Sequence, residues 1–322
     1  MTRGSDPQMA QDMALDLADQ TDLDLIEALE ALGEDEGYYE PLGKRHGALF
    51  SDEGPVLLVT FETLASIRAR PGHKPLGHQI AKAKGWSSLC LIAFEDSWYR
   101  DRAVYRFFDR QVDDAFFEDF DRVVFWGAGM GGYAAAAYAV TAPGATVILA
   151  APQATLDPRV TGWDDRFRAK RRLSFTDRYG YAPEMIEGAG PVHVIYDPQH
   201  HPDAMHASLF TRGFVTMLPC PWIGPDPAGA LEEMELLAPL LTAACEGSFT
   251  PALFWQAYRA RRQHAPYIRR LGEVLDARGR LWLNALLHRA AGRTLKSRRF
   301  RRRGEALEAE LAETGRALPE TV

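Results

Sequence analysis

The sequence predicts an α/β fold of α/β-type layers: a mainly parallel sheet flanked by helices, with an acidic helix before it and a basic helical module after it. Three observations carry this reading. Six short apolar runs recur between residues 55 and 218, separated by stretches long enough for crossover helices. One run enters a glycine-rich turn, Gly127-Ala-Gly-Met-Gly-Gly132, that opens on an alanine-rich segment. After Cys245 the apolar runs stop and helical spacing takes over.

The first element spans roughly residues 9–32, where Leu15, Leu25, Leu29 and Leu32 recur at helical spacing with Ile26 beside them. Gly33 and Gly37 end it. Residues 1–54 hold 3 basic and 14 acidic residues and are read as an acidic helical segment. The strand candidates are Pro55–Phe61, Ser88–Phe94, Arg122–Trp126, Ala145–Ala151, Val192–Tyr196 and Phe214–Leu218. They are apolar on both faces, as strands buried in a parallel sheet must be. The connection from Pro152 to Gly190 is longer than a crossover needs, and reads as a lid or as a segment packed over the sheet edge. Helices are expected over Thr250–Arg262, Ala265–Ala277, Leu281–Ala291 and Arg299–Glu313, punctuated by Gly279, Gly292 and Gly315. The domain reading is therefore 1–54, 55–246 and 247–322.

At 322 residues with 46% hydrophobic and 25% charged residues, the chain can bury a large core. No apolar run reaches the ~18–20 residues that span a bilayer. No positively charged leader precedes an apolar block, and Cys90, Cys220 and Cys245 are few and scattered, so a cytoplasmic protein with buried thiols is expected. Residues 255–303 hold 15 basic and 2 acidic residues, against the acidic N-terminal segment. Such polarity implies either an anionic partner or pairing of the two ends.

Phe125-Trp-Gly-Ala-Gly-Met-Gly-Gly-Tyr-Ala-Ala135, followed by Ala150-Ala-Pro-Gln153, resembles the F-x-G-x-S-M-G-G-Y-A-A and S-P-Q pattern of bacterial α/β-hydrolase-like proteins, some of which occur beside glycan-modifying enzymes. Gly127, Gly129 and Gly131 fall on the fixed positions of their G-x-S-x-G nucleophile elbow. Gly129 stands where the serine belongs. The resemblance implies an acid after the strand following the insertion, which Asp197 matches, and a histidine after the last strand, where this chain reads Gly224-Pro225. With Gly129 and Pro225 at the nucleophile and histidine positions, serine-type hydrolysis is not expected, and Asp197 is a vestigial acid. A histidine among His200, His201 and His206 is the one substitute nearby in sequence. The whole chain, with Glu34-Asp-Glu-Gly-Tyr-Tyr39 and Val112-Asp-Asp-Ala-Phe-Phe-Glu-Asp-Phe120, also resembles a family of Rhodobacter-type α-proteobacteria that often carries a phosphoadenosine phosphosulfate reductase label. The motifs do not support that label. Thr60-Phe-Glu-Thr-Leu64 has no phosphate-loop glycine, and Ala244-Cys-Glu-Gly247 reverses the expected cysteine motif.

Other readings are weaker. Gly127, Gly129 and Gly132 match a dinucleotide fingerprint, but no carboxylate ends the next strand, so no cofactor is expected. His200, His201, Asp203 and His206 lie close in sequence without a metal-ligand spacing, so no metal is expected and a solvated loop is preferred. Arg293–Arg303 is strongly basic; Arg298, Arg299, Arg301, Arg302 and Arg303 are candidate anion-binding residues, and Phe300 a candidate base-stacking ring. The leading expectation is a non-catalytic protein that binds a small anionic or glycan-related ligand, or a protein partner, over Gly127, Gly129, Met130, Gly131 and Gly132, where helix N–H groups form an anion cradle. A non-serine enzyme acting on a phosphorylated or sulfated substrate, and a module binding polyanions such as nucleic acid or a membrane surface through the basic helices, are the alternatives.

Overall fold

The computed structural model describes residues 21–319. They fall into two compact units divided between Val192 and His193. That division lies inside the interval 55–246 read from sequence as one domain, so the last two strands group with the C-terminal helices.

The first unit opens with α1 (Asp22–Glu36), the described part of the acidic helix; its expected start near residue 9 lies outside the described residues. A capping box begins it. The Thr21 hydroxyl accepts the Asp24 N–H, and the Asp24 carboxylate accepts the Thr21 N–H at 2.8 Å. Leu25 and Leu29 then pack on Leu49, Leu64, Ile67 and Ile92. The interval 1–54 is not wholly helical, however. β1 (Gly37–Leu42) and β2 (His46–Ser51) form an antiparallel hairpin, and β2 runs antiparallel to β4 (Ser87–Ala93). β2 is buried along its length, yet its apolar run is short and interrupted by polar residues, so neither alternation nor length marked it as a strand.

Next come β3 (Val56–Thr63), α2 (Leu64–Ala69), α3 (Leu76–Lys84), α4 (Arg102–Asp113), β5 (Arg122–Ala128), α5 (Met130–Tyr138) and β6 (Thr146–Ala150). The strand order in this unit is β1-β2-β4-β3-β5-β6. Strands β4, β3, β5 and β6 run parallel to one another. Parallel order places their carboxyl ends along one edge, where ligands of open α/β sheets bind. The β3–β5 pair lies between β4 and β6, and Leu57, Leu58, Val59, Val124 and Phe125 are fully buried.

The long connection after β6 holds only short helical turns, α6 (Pro158–Thr161), a 3-10 turn over Arg168–Arg172, and α7 (Ala182–Met185). It is pinned to the unit rather than free. Phe167 packs edge-on against Trp98 at 4.8 Å, Arg100 donates to Ser174 O and Arg178 O, and the Tyr133 hydroxyl donates to the carbonyls of Tyr179 and Gly180. These contacts hold the segment against Trp98, Arg100 and Tyr133, and it forms no long helix.

Acidic residues of the N-terminal interval pair inside this unit: Asp22 with Arg68, Glu36 with His78, Glu40 with Arg110 and Glu53 with Lys82. Glu62, buried near the end of β3, is held by four donors. It accepts from Thr60 Oγ1 (2.9 Å), Arg70 Nη1 (2.6 Å), Leu76 N (3.0 Å) and Gly77 N (3.2 Å). It thereby ties β3 to the start of α3.

The second unit contains β7 (Val192–Tyr196), α8 (His201–Leu209) and β8 (Val215–Pro219), with β7 and β8 adjacent. Helices α9 (Pro227–Glu233) and α10 (Leu237–Cys245) follow. The expected helical module is present as α11 (Pro251–Ala257), α12 (Ala265–Ala277), α13 (Leu281–Thr294) and α14 (Arg298–Glu313). His201 to Leu209, expected as a solvated loop, is helix instead, because Pro202 sits in the first turn and Asp203 accepts from His200 at 2.7 Å. Among the described residues no helix is long and apolar enough to cross a membrane.

Removing the Glu62 carboxylate strands Arg70 and two helix-start N–H groups. Glu62→Ala is therefore expected to lower the unfolding free energy by about 3–5 kcal/mol in urea titration; a loss below about 1 kcal/mol would contradict its role as the tie.

Candidate functional site

The glycine turn is a strand–turn–helix elbow. β5 ends at Ala128, Gly129 turns the chain at φ 53° and ψ −118°, and α5 begins at Met130. Gly129 N–H donates to Ala150 O at 2.9 Å, and Tyr133 N–H donates to Gly129 O at 3.0 Å. Side-chain space differs sharply among the four glycines. A Cβ at Gly127 would run into Gly131 O, and one at Gly131 into Phe61 O, both inside van der Waals contact. One at Gly132 would lie 3.2 Å from Pro152. At Gly129 a Cβ would meet nothing within 4 Å. The turn therefore has room for a nucleophile's side chain, and carries hydrogen in its place.

Of the five residues read from sequence as a ligand cradle, Gly129 and Met130 are partly exposed, whereas Gly127, Gly131 and Gly132 are buried. Those three are spacers that let α5 approach β5, β3 and the β6 exit. The Met130 N–H sits in the first helical turn, where N–H groups have no intrahelical acceptor. Beside the elbow, β6 leaves through Ala151, which adopts a left-handed φ of 43°. Gln153 Nε2 donates to Ala151 O at 3.3 Å, and its Oε1 is buried without a partner.

The other two triad positions lie in the second unit. Asp197 follows β7 and is 2% exposed. Its Oδ1 accepts the N–H groups of Gln199 (2.8 Å) and Trp222 (3.0 Å), and its Oδ2 accepts Gly224 N–H (2.8 Å). Asp197 is thus bonded to backbone N–H groups. Two of them, from Trp222 and Gly224, tie down the 222–224 loop, where both residues have positive φ. From its other side the loop is held by Arg270 of α12, whose Nη1 donates to Trp222 O (2.8 Å) and Ile223 O (2.5 Å). Gly224 has φ 104°, a conformation that L side chains rarely adopt, and a Cβ there would also displace the Arg270 guanidinium, 2.7 Å away. Pro225 follows, exposed, in the turn leading to α9. Arg270 was not singled out in sequence; a lone arginine on a helix gives no sign that it will cap a loop about 45 residues earlier.

Several histidines and cysteines of the described residues are buried or already bonded. His46 Nε2 lies 2.6 Å from Ser97 Oγ, which also accepts Tyr99 N–H. Both side chains are fully buried, so no substrate reaches them. Burial pushes the His46 imidazole down to about 4, with the Asp101 carboxylate opposing only part of the effect. His193 is likewise pushed down to about 4 by burial, and packs against Phe249. His206 is buried and His200 is engaged by Asp203. Burial raises the Cys90 thiol well above its usual range and pushes the Cys220 thiol up to about 12, so neither is a thiolate nucleophile. Among the described residues no cluster of three metal-ligating side chains occurs.

In the helical module, Arg298, Arg299, Arg301, Arg302 and Arg303 are all exposed. Arg303 pairs with Asp276 at 2.9 Å. Phe300, expected as a stacking ring, is instead buried against Ile268, Ala291 and His288. It faces the inside of the module because it follows a helical period with Leu307 and Leu311, both buried.

No protein-family model matches the chain, and no curated protein matches it. Among solved structures, a capsule O-acetyltransferase of Neisseria meningitidis serogroup A matches at 13% identity and a TM-score of 0.37, over 61% of this chain and 92% of that one. MPT51 of Mycobacterium tuberculosis matches at 15% and 0.40, over 65% and 97%. A glycosylation-associated protein complex of Streptococcus agalactiae matches at 12% and 0.41, over 62% and 44%. All three matches have low identity and TM-scores below 0.5.

Two measurements test this geometry. Thermal unfolding of Gly127→Ala and Gly129→Ala should rank the first as far more damaging, with Gly129→Ala costing about 1–3 kcal/mol for its backbone angles alone; the reverse order would contradict the close approach at Gly127. For the buried histidines, a depressed folded-state pKa means the unfolded chain binds more protons between pH ~6.5 and ~4. Stability from His193 is thus complete above that window and is lost as pH falls through it. His193→Phe should flatten that part of the stability–pH profile relative to the parent; an unchanged slope would show that His193 is not held neutral.

Proposed function

We propose that this protein has an α/β-hydrolase-like architecture over residues 55–246 but acts by binding, not by serine-type hydrolysis, and that its ligand is a small anion seated at the elbow. The observation that carries the reading is Gly129: its backbone has the turn angles of an elbow and open space for a side chain, with no reacting atom attached. Loss of the nucleophile alone costs a serine hydrolase about 10⁶ in kcat. The base position adds to the case, since Pro225 carries no proton acceptor and Asp197 is committed to three backbone N–H groups.

What the elbow retains is electrostatic. The first N–H groups of α5 and the positive end of its dipole favour a negatively charged oxygen near Gly129 and Met130, the part of the turn open to solvent. A carboxylate, phosphate or sulfate group suits this environment. An enzyme reading through Asp197 as base is disfavoured by its burial and bonding. A cytoplasmic setting, and protein partners, belong to the same proposal and rest on sequence alone.

The full chain should hydrolyse p-nitrophenyl acetate, butyrate and phosphate no faster than buffer, while calorimetric titration with inorganic phosphate registers binding. Gly129→Asp places a carboxylate at the elbow and should weaken phosphate binding at least tenfold. Enzyme-dependent ester turnover, or phosphate binding indifferent to Gly129→Asp, would overturn the proposal.

A further inference from the structure

The α13–α14 hairpin holds a second charged feature, separate from the elbow. Gly292 and Gly304 lie at the helix crossing. A Cβ at Gly292 would lie 3.0 Å from Arg301 Cα, and one at Gly304 3.2 Å from Arg289 N, so the helices touch almost backbone to backbone. This approach opens a cleft of about 380 Å³ whose rim carries Arg289, Arg293, Lys296 and Arg301. Glu305 and Glu308 also line it, and Arg289 lies 3.8 Å from Glu308. Four cations against two carboxylates leave the cleft with an excess of positive charge.

Its chemistry is selective. Arg289 and Arg293 lie one turn apart on α13, Lys296 stands in the turn that follows it, and Arg301 lines the cleft from α14, so an anion there is approached from both helices and the turn. Guanidinium groups fit phosphate oxygens with paired N–H donors, and lysine adds a mobile point charge. The lining contains no aromatic ring, and Phe300 is turned into the module core, so a nucleobase has nothing to stack on. The volume lies in the range of small-molecule sites. We infer that this cleft binds a soluble phosphate ester bearing at least two negative charges and no aromatic base. The inference does not depend on the elbow, and it moves the expected anion contact from the whole Arg298–Arg303 run to the inward-facing side of the hairpin.

The test uses the full chain in the Gly129→Asp background, so that the elbow contributes nothing, with inorganic pyrophosphate as probe. Calorimetry should detect one site per chain whose affinity falls as salt rises. The double variant Lys296→Gln/Arg301→Gln should weaken it at least tenfold, whereas Arg298→Gln/Arg302→Gln, which removes as much charge outside the cleft, should change it less than threefold. Circular dichroism of both variants checks that the hairpin is folded. Equal losses in the two variants would mean a diffuse charge effect and overturn the site, as would no binding at all. Sedimentation with phosphatidylserine vesicles, stronger than with pyrophosphate and lost in the same cleft variant, would assign the cleft to a lipid surface and overturn the soluble ligand.

Discussion

The architecture of the first unit depends on how closely α5 lies against the strands beneath it. Gly127, Gly131 and Gly132 remove three side chains from the meeting of β5, β3 and the β6 exit, and any Cβ at the first two would collide with backbone. Backbone atoms cannot move aside as a flexible side chain can, so this approach is available only to glycine. Once it is made, the turn between β5 and α5 has one accessible geometry, and residue 129 is carried to the open end of the sheet. The same packing that would present a nucleophile here presents a glycine.

The second unit puts two charged side chains to structural use. Asp197 holds the 222–224 loop through backbone N–H groups, and Arg270 holds it through backbone carbonyls. One carboxylate and one guanidinium satisfy opposite sides of a strained loop with two positive-φ residues. A general base must have a lone pair free to take a proton, and a carboxylate bonded to three donors in a buried site is poorly placed for that work. Arg270 comes from α12, so the helical module also supports the loop of its own unit.

Most of the sheet is legible in the amino-acid order because buried parallel strands are short apolar runs. The Val192–Tyr196 strand has the bounds expected of it, and the other five expected strands lie within a residue or two of their observed ends. The β1–β2 hairpin was not legible: Tyr38-Tyr-Glu-Pro41 and His46-Gly47 mix polar, glycine and proline residues, and β2 is buried by lying between β1 and β4 rather than by its own pattern. The strand–turn–helix form of the glycine segment was legible, because the close approach at Gly127 and Gly131 imposes a fixed spacing of glycines. The partners of Asp197 were not, since a backbone N–H is common to nearly every residue and leaves no mark on the sequence. Phe300 shows the opposite error, in which a basic context suggested an outward ring while the helical period turned it inward.

The charge distribution follows the same division between local and distant information. The acidic N-terminal interval and the basic C-terminal run stand out in composition, but composition does not say which charges meet. Asp22, Glu36, Glu40 and Glu53 find cations inside the first unit, and Arg303 finds Asp276 inside the second. The central claim is that no activated hydroxyl or thiol stands at this site. Its most direct test is intact-mass analysis of the folded protein after exposure to a fluorophosphonate probe, with peptide mapping of any adduct. The account predicts an unmodified mass at probe concentrations that label serine hydrolases to completion; a stoichiometric adduct on any single serine, threonine or cysteine, lost on prior unfolding, would contradict it.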